Sequence, residues 1–167
     1  DMSSLGERSI DLARRYGVCD KWSESWGDPD DDEVLERWKD GIAFSVKHQF
    51  PPLDFVRSYP NKKKLAKHNI YVDTEYDCYN APKCIIRGTS KGILRYSHFT
   101  IASVSIFDDA ELDITLLDSA MVFIYTSGNA KVNVRTMNPR AKACVFDYSG
   151  CEINAEGNVL IKNKYAK

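Results

Sequence analysis

The sequence predicts an α+β fold: a helical N-terminal region over residues 1–75, then a short two-sheet β-solenoid of about 20 residues per coil over 76–167, including its linker and C-terminal edge. Three observations predict it. A unit recurs nearly every ten residues, Ala110-x-Leu112-x-Ile114 returning as Ala120-x-Val122-x-Ile124 and as Ala130-x-Val132-x-Val134. Helical spacing of apolar residues holds before Ile70 and vanishes after it, where isoleucine, valine, threonine and tyrosine become frequent. The positions between the repeated ones carry opposite charges two units apart, as strands stacked on one another require.

The first helix opens on Ser4-Leu5-Gly6-Glu7, a capping box in which Ser4 is the N-cap and Glu7 reaches back. Ile10, Ala13 and Tyr16 follow at helical spacing, and Gly17 supplies a stop. A second helix is expected after WGDPDDDE, because the acids from Asp30 to Glu33 suit the positive end of a helix dipole. Val34, Leu35, Trp38, Ile42 and Val46 mark its single apolar stripe. Pro51-Pro52 ends it, since proline lacks the N–H and restricts the residue before it. Short helices are expected over 53–59 and 61–68. NIYVDTEYDCYNAPK then reads as an extended linker leading to strands near 84–87 and 93–96.

The repeat has an earlier copy, Ala102-x-Val104-x-Ile106, and later ones, Ala141-x-Ala143-x-Val145 and Cys151-x-Ile153-x-Ala155. The leading small residues are spaced by 8, 10, 10, 11 and 10. Strict alternation makes each copy a strand with one buried face. Turn formers separate the copies: Asp108-Asp109, Asp118-Ser119, Ser127-Gly128-Asn129, Asn138-Pro139 and Ser149-Gly150. A ten-residue unit is too short to circle a filled core, so two copies make a coil and each strand stacks on the copy two units later, about 4.8 Å away.

That pairing stacks Glu111, Lys131 and Glu152 on one outward face, beside Asp113, Asn133 and Asn154, and then Thr115, Arg135 and Glu156. The other outward face stacks Met121 on Lys142, Phe123 on Cys144 and Tyr125 on Phe146. A solvated sheet does not usually carry Met121, Phe123, Tyr125 and Phe146 together. These four are the candidate interface: either the helical region packs on them, or they join subunits. Open solenoid ends need protection. The helices or the strands at 84–96 could cap one end, and Lys162, Lys164 and Lys167 could blunt the other.

The units AELDI, AMVFI and AKVNV with Gly/Asn/Asp/Ser turns resemble short bacterial β-solenoids, such as bactofilins and adhesin-head repeats, over residues 84–163. The front segment, LARRYGVCDKW through FPPLDFV and NIYVD, is similar to small uncharacterised proteins of gut Bacteroidetes and their mobile elements. The first resemblance implies scaffolding or surface assembly and carries no catalytic residue across. The polymerising bactofilins lack so large a helical front end, so filament formation does not carry over with it.

Composition is that of an ordinary globular chain, with 43% hydrophobic and 28% charged residues. Net charge is −1 and evenly spread, so no overall field favours nucleic acid or anionic lipid. No apolar stretch approaches the roughly 20 residues of a membrane span. Five cysteines without a CxxC argue against a disulfide scaffold and for a reducing, cytoplasmic setting. Asp1 precedes Met2, which leaves the natural start open.

Isolated chemical signals are weak. DPDDDE has acids where a calcium loop needs them, yet Glu33 replaces the required glycine and Lys39 the final glutamate. His48, His68 and His98 lack metal-ligand spacing, and Cys78 and Cys84 lie too far apart for a zinc knuckle. KKKLAKH reads as a solvated helix face, and Ser97-His98 needs geometry before it means anything. Cys151 stands where other copies have alanine, as a packed thiol. Trp22 and Trp26, at i and i+4, could stack on sugars or share a core face. The expectation is therefore a non-enzymatic structural or interaction module, serving assembly or adhesion. It has no cofactor or metal, and its partner is a protein or a second copy rather than nucleic acid or membrane. The alternative is a carbohydrate-binding or carbohydrate-processing protein using Trp22 and Trp26.

Overall fold

The computed structural model describes residues 3–165; Asp1, Met2, Ala166 and Lys167, the last expected to blunt the C-terminal edge, lie outside them. Six helices precede eleven strands among these residues: α1 (Leu5–Arg15), α2 (Asp20–Glu24), α3 (Asp31–Asp40), α4 (Ile42–His48), α5 (Leu53–Ser58) and α6 (Lys62–Lys67). Ser4 caps α1 by accepting from the Glu7 N–H at 3.1 Å, and Asp30 caps α3 by accepting from the Glu33 N–H at 2.9 Å. The single helix expected across Val34 to Val46 is two. Gly41, with φ −85° and ψ 53°, leaves helical geometry between α3 and α4 and redirects the chain. The short helix α2 was not expected.

The strands are β1 (Ile70–Val72), β2 (Glu75–Tyr79), β3 (Lys83–Arg87), β4 (Lys91–Tyr96), β5 (Ile101–Ile106), β6 (Glu111–Leu116), β7 (Met121–Thr126), β8 (Lys131–Thr136), β9 (Lys142–Asp147), β10 (Glu152–Glu156) and β11 (Val159–Asn163). Odd strands form one parallel sheet and even strands another, in the orders β1-β3-β5-β7-β9-β11 and β10-β8-β6-β4-β2. The chain is thus a β-solenoid that alternates between two sheets. Register runs Lys91↔Glu111↔Lys131↔Glu152, in steps of 20, 20 and 21 residues. The extra residue sits in the corner between β8 and β9, where Asn138 Oδ1 accepts from the Arg140 and Ala141 N–H groups. The segment expected as a linker is instead β1 and β2, a shorter first coil in which Glu75 pairs with Lys91 after 16 residues. Its strand character was masked because Tyr71, Tyr76 and Cys78 replace the small-then-branched pattern of later copies.

Alternation explains the core. Ala110, Leu112, Ile114, Leu116, Ala120, Val122, Ile124, Ala130, Val132 and Val134 all point inward and are buried. Each branched side chain so buried contributes about 1.5–3 kcal/mol. Tyr71 and Tyr76 stack at 5.0 Å and fill the N-terminal end of the coil, with Tyr96 behind them. At the far end Leu160 and Ile161 stay substantially exposed.

The corners need left-handed backbone at fixed intervals. Gly88, Asp108 and Gly128 take it 20 residues apart, with φ of 66°, 61° and 66°. Asn80, His98 and Asp118 do so at the opposite corner. Aspartate and asparagine tolerate this region and can satisfy neighbouring N–H groups. Asp108 Oδ2 accepts from the Gly88 N–H at 2.8 Å, and Asp118 Oδ2 from the His98 N–H at 2.7 Å. The stacked corners are therefore stitched as well as the sheets.

The helices form a second layer on the outer face of the odd-strand sheet, over β1 and β3. Ile70, Val72 and Ile85 share a core with Leu5, Ile10, Trp26, Val34, Leu35, Trp38 and Leu65. Polar contacts also hold the layers together. Arg57 donates twice to Asp73, at 2.7 and 2.9 Å, Lys83 donates to Asp40 at 2.7 Å, and Arg87, paired with Asp108 at 2.9 Å within the solenoid, donates to the Pro51 carbonyl at 2.6 Å. Asp73 is held at about 2 by Arg57, against a burial effect that would raise it.

Candidate functional site

The odd-strand sheet presents two unlike halves. Over β1 and β3 its outer face lies under the helices. Over β7 and β9 the helical core does not extend among the described residues: it includes Ile70, Val72 and Ile85 but none of Met121, Phe123, Tyr125 and Phe146. The reason is connectivity: α6 ends at Lys67 and β1 begins at Ile70, so the preceding helices fold back on the first strands they reach. The four residues are brought together and cover one another, each remaining partly exposed. Tyr125 registers with Phe146 and stacks on it at 5.0 Å, and Phe123 stacks on Phe146 at 6.4 Å. Burial raises the Tyr125 pKa. Cys144 is buried beneath them.

This strip is wider than alternate spacing alone indicated. Ile101, in register with Met121, is 68% exposed, and Phe99 at the preceding corner is 83% exposed. Leu160, in register with Cys144, extends it at the far edge. The register signal for Ile101 was legible in the sequence, whereas Phe99 sits in a turn and has none. Lys142 borders the strip, and Lys162 and Lys164 lie over the Phe146 ring at 5.6 and 5.8 Å. No acidic residue occupies an outward position of β5, β7, β9 or β11.

The even-strand sheet has the opposite character. Glu75, Lys91, Glu111, Lys131 and Glu152 form one column of alternating sign. Lys91 Nζ lies 2.9 Å from Glu111, which lowers the carboxyl pKa and raises that of the amine. Beside it an amide ladder runs from Asn154 Nδ2 to Asn133 Oδ1 and from Asn133 Nδ2 to Asp113 Oδ1, each at 2.9 Å. Such a face is satisfied by itself and by water.

A second feature lies within the helical layer: a cavity of 510 Å³. Gly17, with φ 82°, ends α1 and turns the chain into Val18 and Cys19, and Gly41 turns α3 into α4. These two breaks set Trp22, Trp38, Phe44 and Phe50 around one hollow. Phe44 packs on His48 at 4.7 Å and on Phe50 at 5.5 Å. Arg37, Lys47 and His48 also line it, and no acid does. The two tryptophans share a core face, as their i and i+4 spacing allows, with ring centroids 4.8 Å apart. Trp22 lines the cavity, while Trp26 is 4% exposed and donates its indole N–H to the Gly6 carbonyl at 3.1 Å. A sugar site would set Trp22 beside acids, and it is set beside cations and aromatic rings. Sequence reasoning missed Phe44, Lys47, His48 and Phe50 as neighbours, because the hollow exists only through two glycine turns.

His68 bridges helices. Its Nδ1 lies 2.6 Å from Glu36 and its Nε2 2.7 Å from Asp32. Burial would lower its pKa, but the two carboxylates outweigh this and raise it. Ser97 Oγ and His98 Nδ1 are 2.9 Å apart at an exposed corner, a contact between chain neighbours. Among the described residues no three His, Cys, Asp or Glu side chains are grouped to hold a metal ion, and no helix is long and apolar enough to cross a membrane. Comparison with family models, with curated proteins and with solved structures finds no match for this chain.

Proposed function

We propose that this protein is a non-enzymatic assembly module whose uncovered sheet face pairs with the same face of a second copy. One observation carries this reading: the apolar strip of Ile101, Met121, Phe123, Tyr125 and Phe146 continues, on the same sheet, the face that the helices bury over β1 and β3. Two such faces can pack about 10 Å apart across a twofold axis, each strip covering the other. Lys142, Lys162 and Lys164 would then stand at the solvated rim, where interfaces tolerate charge. The resemblance to assembling bacterial solenoids agrees with this reading.

The test is the mass in solution at rising concentration. The wild type is expected to reach twice the monomer mass, Phe123→Lys to stay monomeric with an unchanged melting curve, and Lys131→Ala on the polar sheet to dimerise normally. A wild type that remains monomeric throughout, or a Phe123→Lys protein that still dimerises, overturns the proposal.

A further inference from the structure

We infer that the cavity in the helical layer binds a small monocarboxylate with an apolar body. Its volume of 510 Å³ falls within the range of small-molecule sites, about 300–1,000 Å³. Its walls are chiefly apolar and include four aromatic rings: Trp22 and Phe44 are partly exposed, and Trp38 and Phe50 are buried. Such walls favour an apolar body.

The charged groups argue for the rest of the ligand. No carboxylate is in the lining, which carries Arg37, Lys47 and His48. Arg37 is already engaged: it donates to the Trp26 carbonyl, lies 3.7 Å from Glu33 and sits over the Trp26 ring. Lys47 is exposed, and among the described residues it has no carboxylate within ion-pair distance. His48 meets Phe44 and Tyr16 through its ring, at 4.7 and 5.8 Å. Lys47 thus places a cation at the lip of an apolar hollow, beside the His48 ring. An anionic head at the lip and an apolar tail within satisfies both parts. A neutral apolar molecule leaves the lysine unused, and a multiply charged one would have to desolvate against aromatic walls. The site is separate from the strip on the odd-strand sheet, so it stands whether or not the chain dimerises.

Octanoate and 1-octanol test this, because they share a chain and differ in charge. Calorimetric titration of the full chain is expected to give one octanoate site, with octanol at least about tenfold weaker. Trp22 fluorescence should change with the same midpoint. Lys47→Glu should weaken octanoate about tenfold and leave octanol unchanged. Ala43→Trp, which fills the hollow, should abolish both. Equal binding of the two ligands, no binding of either, or octanoate binding indifferent to Lys47→Glu overturns the inference. Lys47 is an exposed position, so that variant decides the matter even if Ala43→Trp does not fold.

Discussion

Arg87 Nε donates to Asp108 Oδ2 at 2.9 Å across neighbouring coils, and its guanidinium also lies over the Phe107 ring, with the arginine only 1% exposed. Burial pushes the Arg87 pKa down, and the carboxylate opposes this. The pair joins two coils of the solenoid, and the same guanidinium ties them to the helical layer through the Pro51 carbonyl. Arg87→Met leaves Asp108 without its cation and the Pro51 carbonyl without its donor. It is expected to destabilise the protein by about 3 kcal/mol in urea titration. A loss below about 1 kcal/mol would show that the contacts of Arg87 contribute little to the joint.

Gly92 faces Tyr76 in the first coil, and a Cβ there would collide with the tyrosine ring and carbonyl. Tyr76 cannot retreat, being stacked on Tyr71. Gly92→Ala should therefore cost about 1–3 kcal/mol. The double variant Gly92→Ala with Tyr76→Leu removes the ring clash and keeps the carbonyl one, so it should recover part of the loss; an unchanged stability of Gly92→Ala would exclude this steric cause.

Asp147 is 3% exposed, and its carboxylate accepts from the N–H groups of Ser149 and Cys151 and from the Thr126 hydroxyl. Asp147→Ala removes the acceptor of all three donors, of which the Thr126 hydroxyl is buried. An expected loss of about 1–3 kcal/mol would be read in the denaturation midpoint.

His68 makes the α3–α6 contact depend on pH. Its raised pKa means that its contribution is complete below about pH 6.5 and is lost as pH rises through the folded value. Asp32 and Glu36 have lowered pKa values, so their contribution is lost as pH falls into the carboxylate range. Lys64 and Lys39 share these carboxylates and moderate the effect. The melting difference between wild type and His68→Gln should be larger at about pH 5.5 than at about pH 8. A difference that does not vary with pH would remove His68 from the tether.

The thiols should separate by burial. Burial raises Cys84 to about 12 and Cys151 to about 11, and Cys144 is covered by the aromatic strip. Cys19 is exposed at the mouth of the cavity. One fast-reacting thiol, abolished by Cys19→Ser, is expected with a disulfide reagent. Fast modification of a second cysteine in the native protein would contradict the packing.

Where the sequence repeats itself, the fold could be read from it. Ala110, Ala120 and Ala130 mark inward strand starts, and Glu111, Lys131 and Glu152 fix which strand stacks on which. Local spacing failed where one residue redirected the chain, as Gly41 does between α3 and α4. It failed again where bulk replaced the repeat, as Tyr71 and Tyr76 do in the first coil. The aromatic strip was visible because its members alternate within single strands. The cavity was not, because Trp22, Phe44, Lys47 and Phe50 meet only after Gly17 and Gly41 have turned the chain.

The column Glu75, Lys91, Glu111, Lys131, Glu152 has a further consequence for how such a chain can change length. Backbone and core return to the same state after every coil, so excising residues 111–130 would leave a shorter rod of the same cross-section. It would also set Lys91 directly against Lys131. Geometry here counts in twenties and charge in forties, so growth or loss by pairs of coils is the change that satisfies both.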